Sequence, residues 1–296
     1  MKHYYGYFLF MVCLLISSSS NSIAQEQSNM DEYLLTSSDS VLQQEDGFHK
    51  NNYVITNRLS EIIEKEKDLR LKIEGCKKRF EQVNGNRQKE NVISKRILKL
   101  NGQLADLLYS EAVEKYGVTD LNNDTSLINV GNYIVTKPSG SWWSSWWWKY
   151  LNDGWKHAFM FIGKDKNGKW YVIEARGPRK KSWITSWESW KNNYSYSNLS
   201  QAMLVNMSLD TTKQQELINY ANKYLKNKSY PNEYWLPFSK ESMSTFYCSS
   251  LVWRAHKSSG ASVDLDGDTN TTYNIVYPHD LILYSDGSEK GYAVSW

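Results

Sequence analysis

Cysteine and proline are scarce in this chain, with three Cys and five Pro among 296 residues. So few thiols cannot build a disulfide scaffold, and the fold must rest on an apolar core, for which a 41% hydrophobic composition suffices. Charge of one sign is also lacking. The formal net charge is +3, and the densest basic run, Arg179-Lys180-Lys181, is only a surface-sized patch. Both facts argue against nucleic acid or an anionic membrane as partner. Beyond the N-terminal segment no apolar run is long enough to span a bilayer. The scarcities are uneven as well, because no Trp precedes Trp142 and no Pro precedes Pro138.

What is present begins with an export signal. Lys2 and His3 lead an apolar stretch from Tyr7 to Ile16, and Ser22-Ile23-Ala24 forms a small-x-small cleavage site before Gln25. Residues 1–24 read as a secretory signal peptide, with an uncleaved anchor as the alternative. Cys13 follows Phe10-Met11-Val12 and has no small residue before it, unlike a lipoprotein acylation site. The expected location is secreted or in the cell envelope. Residues 25–50, polar and aperiodic, read as a flexible lead. Two cysteines remain, Cys76 and Cys248, and an oxidising compartment leaves a disulfide between them open.

Between residues 51 and 120 apolar positions recur at steps of three and four. Ile55, Leu59, Ile62, Leu69, Ile73, Cys76, Phe80 and Val83 form one series, and Ile93, Ile97, Leu100, Leu104 and Leu107 a second. The break at NGNRQ (84–88) predicts an antiparallel helical hairpin with a coiled-coil-like seam. Cys76 on that seam reads as a buried small hydrophobe. The LNNDTS stretch (121–126) supplies linker residues, and 127–296 alternates strand and helix signals. VGNYIVTK (130–137), HAFMFIGKD (157–165), WYVIEAR (170–176) and AMLVNMS (202–208) read as strands, with a tight turn at DKNGK (165–169). Asp210 caps a helix carrying Leu217, Ile218, Ala221 and Leu225, and a further helix runs from about Cys248 to Ser258. VYPHDLILY (276–284) closes the domain. The fold class is α+β.

Cys248 stands where that last helix begins, with Ser244 and Thr245 as candidate caps. A thiol in the first turn sees the positive end of the helix dipole and free N–H groups, which favour the thiolate and can hold an oxyanion. The other reading is a buried helix cysteine. A thiolate nucleophile needs a base, and His157, at the head of a core strand, is the candidate. His49 lies in the polar lead, and His256 is eight residues along the helix from Cys248, too far to touch it. On the next strand Glu174, flanked by Ile173 and Ala175, can orient the imidazole. Its alternative partners are Arg176 and Arg179. Asp264, Asp266 and Asp268 alternate as in a calcium loop, but Thr269 and Ile275 stand where Gly and Glu are needed, so a polar surface loop is the reading.

These segments, in this order, resemble the permuted papain-fold amidases, the YiiX/YaeF-like branch of the NlpC-type superfamily. VGNYIVTK resembles the opening strand of that family, WKHAFMFIG and YVIEARG its His and Glu-Ala strands, and FYCSSLVWRAH its Cys helix. LINYANKYLKNKSYPNEY (217–234) resembles the helix and Tyr-rich loop before the nucleophile, and VYPHDL (276–281) the closing Pro-Asp segment. Asn132 departs from the usual Asp. The resemblance implies a permuted papain-like domain with Cys248 as nucleophile, His157 as base and Glu174 as orienting acid. It also implies that Tyr247 lies in the cleft against substrate and that neither cofactor nor metal is needed. The expected function is hydrolysis of an amide or peptide bond through an acyl-enzyme, with peptides, peptidoglycan fragments or acyl-amides as substrates. A lipid-directed thioesterase or acyltransferase and a non-catalytic envelope-binding module are the alternatives. The Trp-rich stretch GSWWSSWWWKYLNDGW (140–155) reads either as an aromatic wall for an acyl chain, a sugar or a membrane interface, or as a loop packed on the domain. The helical hairpin is left to tether, gate or self-associate.

Overall fold

The computed structural model describes residues 57–83, 85–138, 154–175, 180–193, 199–229, 240–265, 275–284 and 290–296. The signal, the polar lead, the Trp run at 142–148, both arginines considered for Glu174, and Asp266 and Asp268 lie outside these residues.

Helix α1 (Asn57–Gln82) and helix α2 (Arg87–Tyr116) form the expected antiparallel pair. Asn86 starts α2, its side chain accepting from the Lys89 N–H at 3.2 Å, and Glu90 reaches back to accept from the Gly85 N–H at 2.6 Å. The first bond satisfies one of the donors that a helix start leaves without partners, and the second ties the preceding turn to the helix. In α1 the buried residues are Leu59, Ile62, Ile73 and Cys76, the seam read from the sequence. Cys76 and Cys248 are both free, buried thiols. In α2 the buried face is wider, running through Ile97, Asn101, Leu104, Ala105, Leu108 and Ala112. Leu108 is buried where the periodicity indicates Leu107, because α2 packs against α1 on one side and against the sheet domain on another.

Among the described residues seven strands make one mixed sheet: β1 (Val118–Asp120), β2 (Tyr133–Pro138), β3 (His157–Lys164), β4 (Trp170–Glu174), β5 (Trp183–Ser186), β6 (Leu199–Asn206) and β7 (Lys290–Ser295). Their spatial order is β1-β7-β6-β2-β3-β4-β5; β1 and β7 run parallel and every other pair antiparallel. Alternation along the strands divides two cores. Tyr133, Val135, Ala158, Met160, Ile162, Ile173, Met203 and Val205 face the helices and share a core with Ile73, Leu104, Ala105 and Leu108 of the helical pair. Helix α4 (Thr211–Tyr220) and helix α5 (Cys248–Ser258) cover this face, with helix α6 (Pro278–Leu283) beside α2. Asp210 caps α4 as expected, accepting from the Lys213 N–H at 2.9 Å. The opposite face carries Ile134, Phe159, Phe161, Val172 and Leu204 and is closed by Trp187 and Trp190 of the short helix α3 (Trp187–Asn193). The architecture is α+β, a helical pair joined to a mixed sheet.

Candidate active site

The residues of interest meet at one end of β3, near the middle of the sheet. His157 is its first residue. Met160 pairs with Ile173 and Phe161 with Val172, so the register sets Glu174 across from Phe159. His157 and Phe159 share a face by strand alternation, which makes Glu174 the diagonal neighbour of His157. His157 Nε2 and Glu174 Oε2 are 2.8 Å apart. The second carboxylate oxygen, Oε1, accepts from the indole Nε1–H of Trp183 at 2.8 Å, and Trp183 is the direct cross-strand partner of Glu174 on β5. Both oxygens of this fully buried carboxylate are thus engaged.

Cys248 is the first residue of α5 and only 2% exposed. It lies close enough to His157 to raise the imidazole pKa, and its Sγ is 3.8 Å from the Lys156 carbonyl, immediately before the histidine. Ser244 and Thr245 do not cap the helix; the Thr245 hydroxyl pairs with Ser242 at 2.9 Å. The start of α5 is held instead by the Ser250 hydroxyl, which accepts from the Tyr247 N–H at 3.0 Å. Leu251, Val252 and Ala255 anchor the helix in the core, so its N-terminus and the first-turn N–H groups end at Cys248.

The electrostatics follow from burial opposed by pairing. Burial alone pushes the His157 pKa down, but the hydrogen bonds and charges of Cys248 and Glu174 outweigh it and raise the value to about 10. Burial pushes Glu174 up, yet His157, with the nearby indoles of Trp190 and Trp183, holds it below its ordinary value. The arrangement therefore favours an imidazolium bridging a carboxylate and a sulfur. An aromatic cluster lies behind it. Phe159 packs on Trp190 with ring centroids 4.1 Å apart, and Trp187 stacks on Trp190 at 5.4 Å. This apolar backing strengthens each charge interaction in front of it.

The remaining candidates are placed apart from this chain of contacts or serve it indirectly. Tyr247 is buried beside Cys248, and its hydroxyl oxygen accepts from the Val276 N–H at 2.8 Å, which ties the Cys helix to the segment before α6. His256 has Nδ1 2.9 Å from the Val252 carbonyl and Nε2 2.9 Å from the Gly131 carbonyl, joining α5 to the loop before β2. His279 is buried on α6 and stacks on Tyr277. Asn132 uses both ends of its amide, donating to the Leu127 carbonyl at 2.8 Å and accepting from the Met207 N–H at 2.9 Å. A carboxylate has no hydrogen for the first of these. Asp264 is bonded by the Trp253 indole at 2.7 Å and by Lys257, and no group of three or more metal-ligating side chains occurs among the described residues. Sequence reasoning missed Trp183 and Trp190. The four-residue β5 gives too short a pattern to place an indole opposite Glu174.

Residues 147–281 match the model of a family described as permuted papain-like amidase enzymes, YaeF/YiiX, C92 family, whose members act as cysteine-type amidases or peptidases. No curated protein and no solved structure matches the chain.

Proposed function

We propose, from the permuted papain-like amidase family that residues 147–281 match, that this chain is an exported cysteine hydrolase acting on an amide or peptide bond. The observation that carries the reading is the continuous contact Glu174–His157–Cys248, buried at the head of a helix. Cys248 Sγ, as thiolate, attacks the carbonyl carbon and forms a tetrahedral oxyanion beside the first-turn N–H groups of α5. His157 gives its proton to the leaving amine, and the C–N bond breaks to leave a thioester on Cys248. The neutral imidazole then takes a proton from water, whose oxygen attacks the thioester and releases the acid and the thiolate. Glu174 keeps the ring oriented and supports its positive charge through the cycle.

The signal-like N-terminus supports export, and an exported amidase has envelope peptides among its accessible substrates. Peptidoglycan-derived peptides and acyl-amides are the substrate classes to test. The test is release of amine from a panel of wall peptides and N-acyl amides by the mature chain. Hydrolysis lost by at least about 100-fold in both Cys248→Ala and His157→Ala is expected. Turnover that survives Cys248→Ala would refute the mechanism.

A further inference from the structure

The segment that carries His157 is held from outside the family match by a carboxylate of the helical pair. Asp106 of α2 accepts at a single oxygen, Oδ1, from the Lys137 ammonium at 2.7 Å and from the Trp155 indole Nε1–H at 2.9 Å. Trp155 is fully buried two residues before His157, and Tyr109, one helical turn after Asp106 less one residue, meets its ring edge-on at 6.0 Å. Lys137, the last residue but one of β2, lies 5.9 Å over the Trp155 ring. Gly154 has φ of +82°, and a Cβ there would meet the Lys137 side chain at 2.5 Å, so the chain turns tightly against this lysine before entering β3. Between Trp155 and His157 lies Lys156, whose N–H donates to the Thr136 carbonyl at 2.9 Å and whose carbonyl faces Cys248 Sγ.

We infer that Asp106 is a positioning residue for the Cys248–His157 pair. The inference rests on the proposed thiol chemistry and gives the helical pair a part in it. Three consecutive residues each meet a different partner: Trp155 the carboxylate, Lys156 strand β2 and the thiol, His157 the thiol and Glu174. Trp155 and Lys156 fix where the backbone enters β3, and the His157 ring has only one rotatable bond pair beyond that backbone. An ionised Asp106 suits this work because one oxygen can hold two donors, one of them charged. Neutralising it weakens both bonds at once and frees the entry to β3. Misplacement of a reacting group by about 1 Å costs on the order of 100-fold.

The experiment compares the mature wild type with Asp106→Asn, Trp155→Phe and His157→Ala. Two readouts are taken: the rate of Cys248 alkylation by iodoacetamide as a function of pH, and the imidazole titration of His157 by NMR, with thermal midpoints as a folding control. In Asp106→Asn, at a temperature where it is folded, alkylation at neutral pH should fall by about 10- to 100-fold. The His157 midpoint should move down from about 10 towards the ordinary 6.5. Trp155→Phe, which keeps the ring and loses the N–H donor, should shift both readouts the same way and stands in if Asp106→Asn does not fold. A lowered thermal midpoint with both readouts unchanged would make Asp106 merely structural and overturn the inference. Failure of the thiol chemistry itself looks different: the wild type would then alkylate no faster than His157→Ala.

Discussion

His157 sits between the Glu174 carboxylate and the Cys248 sulfur in a buried site, and its titration should govern the alkaline side of activity. Its pKa is raised to about 10, so the protonated ring that donates to the leaving group persists until that pH. Hydrolysis should hold on the alkaline side and decline above about pH 10, as read from kcat/KM against pH. Glu174→Gln removes the charge that supports the imidazolium. It should draw the alkaline limb to lower pH and reduce kcat by about 100- to 10,000-fold. Stability follows the same groups with opposite signs. The raised His157 value stabilises the folded state fully below about pH 6.5 and is lost as pH rises towards about 10. The lowered Glu174 value contributes above its ordinary 4.5 and is lost as pH falls through its native value. Tyr247 offers a separate test at this scale. Tyr247→Phe leaves the buried Val276 N–H without its acceptor and should cost about 1–3 kcal/mol in chemical denaturation. Because the hydroxyl faces that backbone group, KM should stay unchanged; a rise in KM would support the substrate-contact role that the family resemblance implies for Tyr247.

At the scale of elements, the strands bearing His157 and Glu174 were legible because each is an apolar run with one polar residue out of place, and the helix headed by Cys248 because Leu251, Val252 and Ala255 recur at core spacing. HAFMFIG and YVIEA bury every position, so a histidine and a glutamate among them required partners, and the pairing register supplies them. The turn at DKNGK holds through Asp165, whose carboxylate accepts from the Asn167 and Lys169 N–H groups at 2.9 Å. Three short strands were not legible. β1 has three residues and β5 four, and segments of that length lack a period from which to read them, while β7 follows a polar stretch. The caps of α5 were misread for a related reason. Ser and Thr before a helix are common caps, but here tertiary contacts hold Thr245 on Ser242, and the serine inside the helix does the capping. Asn132 belongs to this scale because it joins the loop at Leu127 to the end of β6 at Met207. Asn132→Asp should leave the Leu127 carbonyl without its donor and destabilise by about 1–3 kcal/mol, measured by urea titration.

For the molecule as a whole, the helical pair and the sheet domain share one core. The sequence separates a Lys- and Glu-rich amphipathic half from a Trp-rich half, and that contrast suggests an independent module. Leu104, Ala105 and Leu108 nevertheless pack among the buried residues of the sheet's helical face. A chain lacking residues 57–116 should therefore expose that face, and it should show no cooperative thermal transition by circular dichroism, whereas the chain that keeps them should melt in one step. The order of strands has a bearing on how such a core is assembled during synthesis. β7, near residue 295, lies between β1 and β6, and β1 at residue 118 pairs with it and with no other strand among those described. At roughly 5–20 residues per second of translation, the interval between making β1 and making β7 is on the order of 10–35 s. Until β7 is made, β1 and, once it is synthesised, β6 each present an edge that lacks its partner. The sheet closes only when the ribosome delivers its late strand.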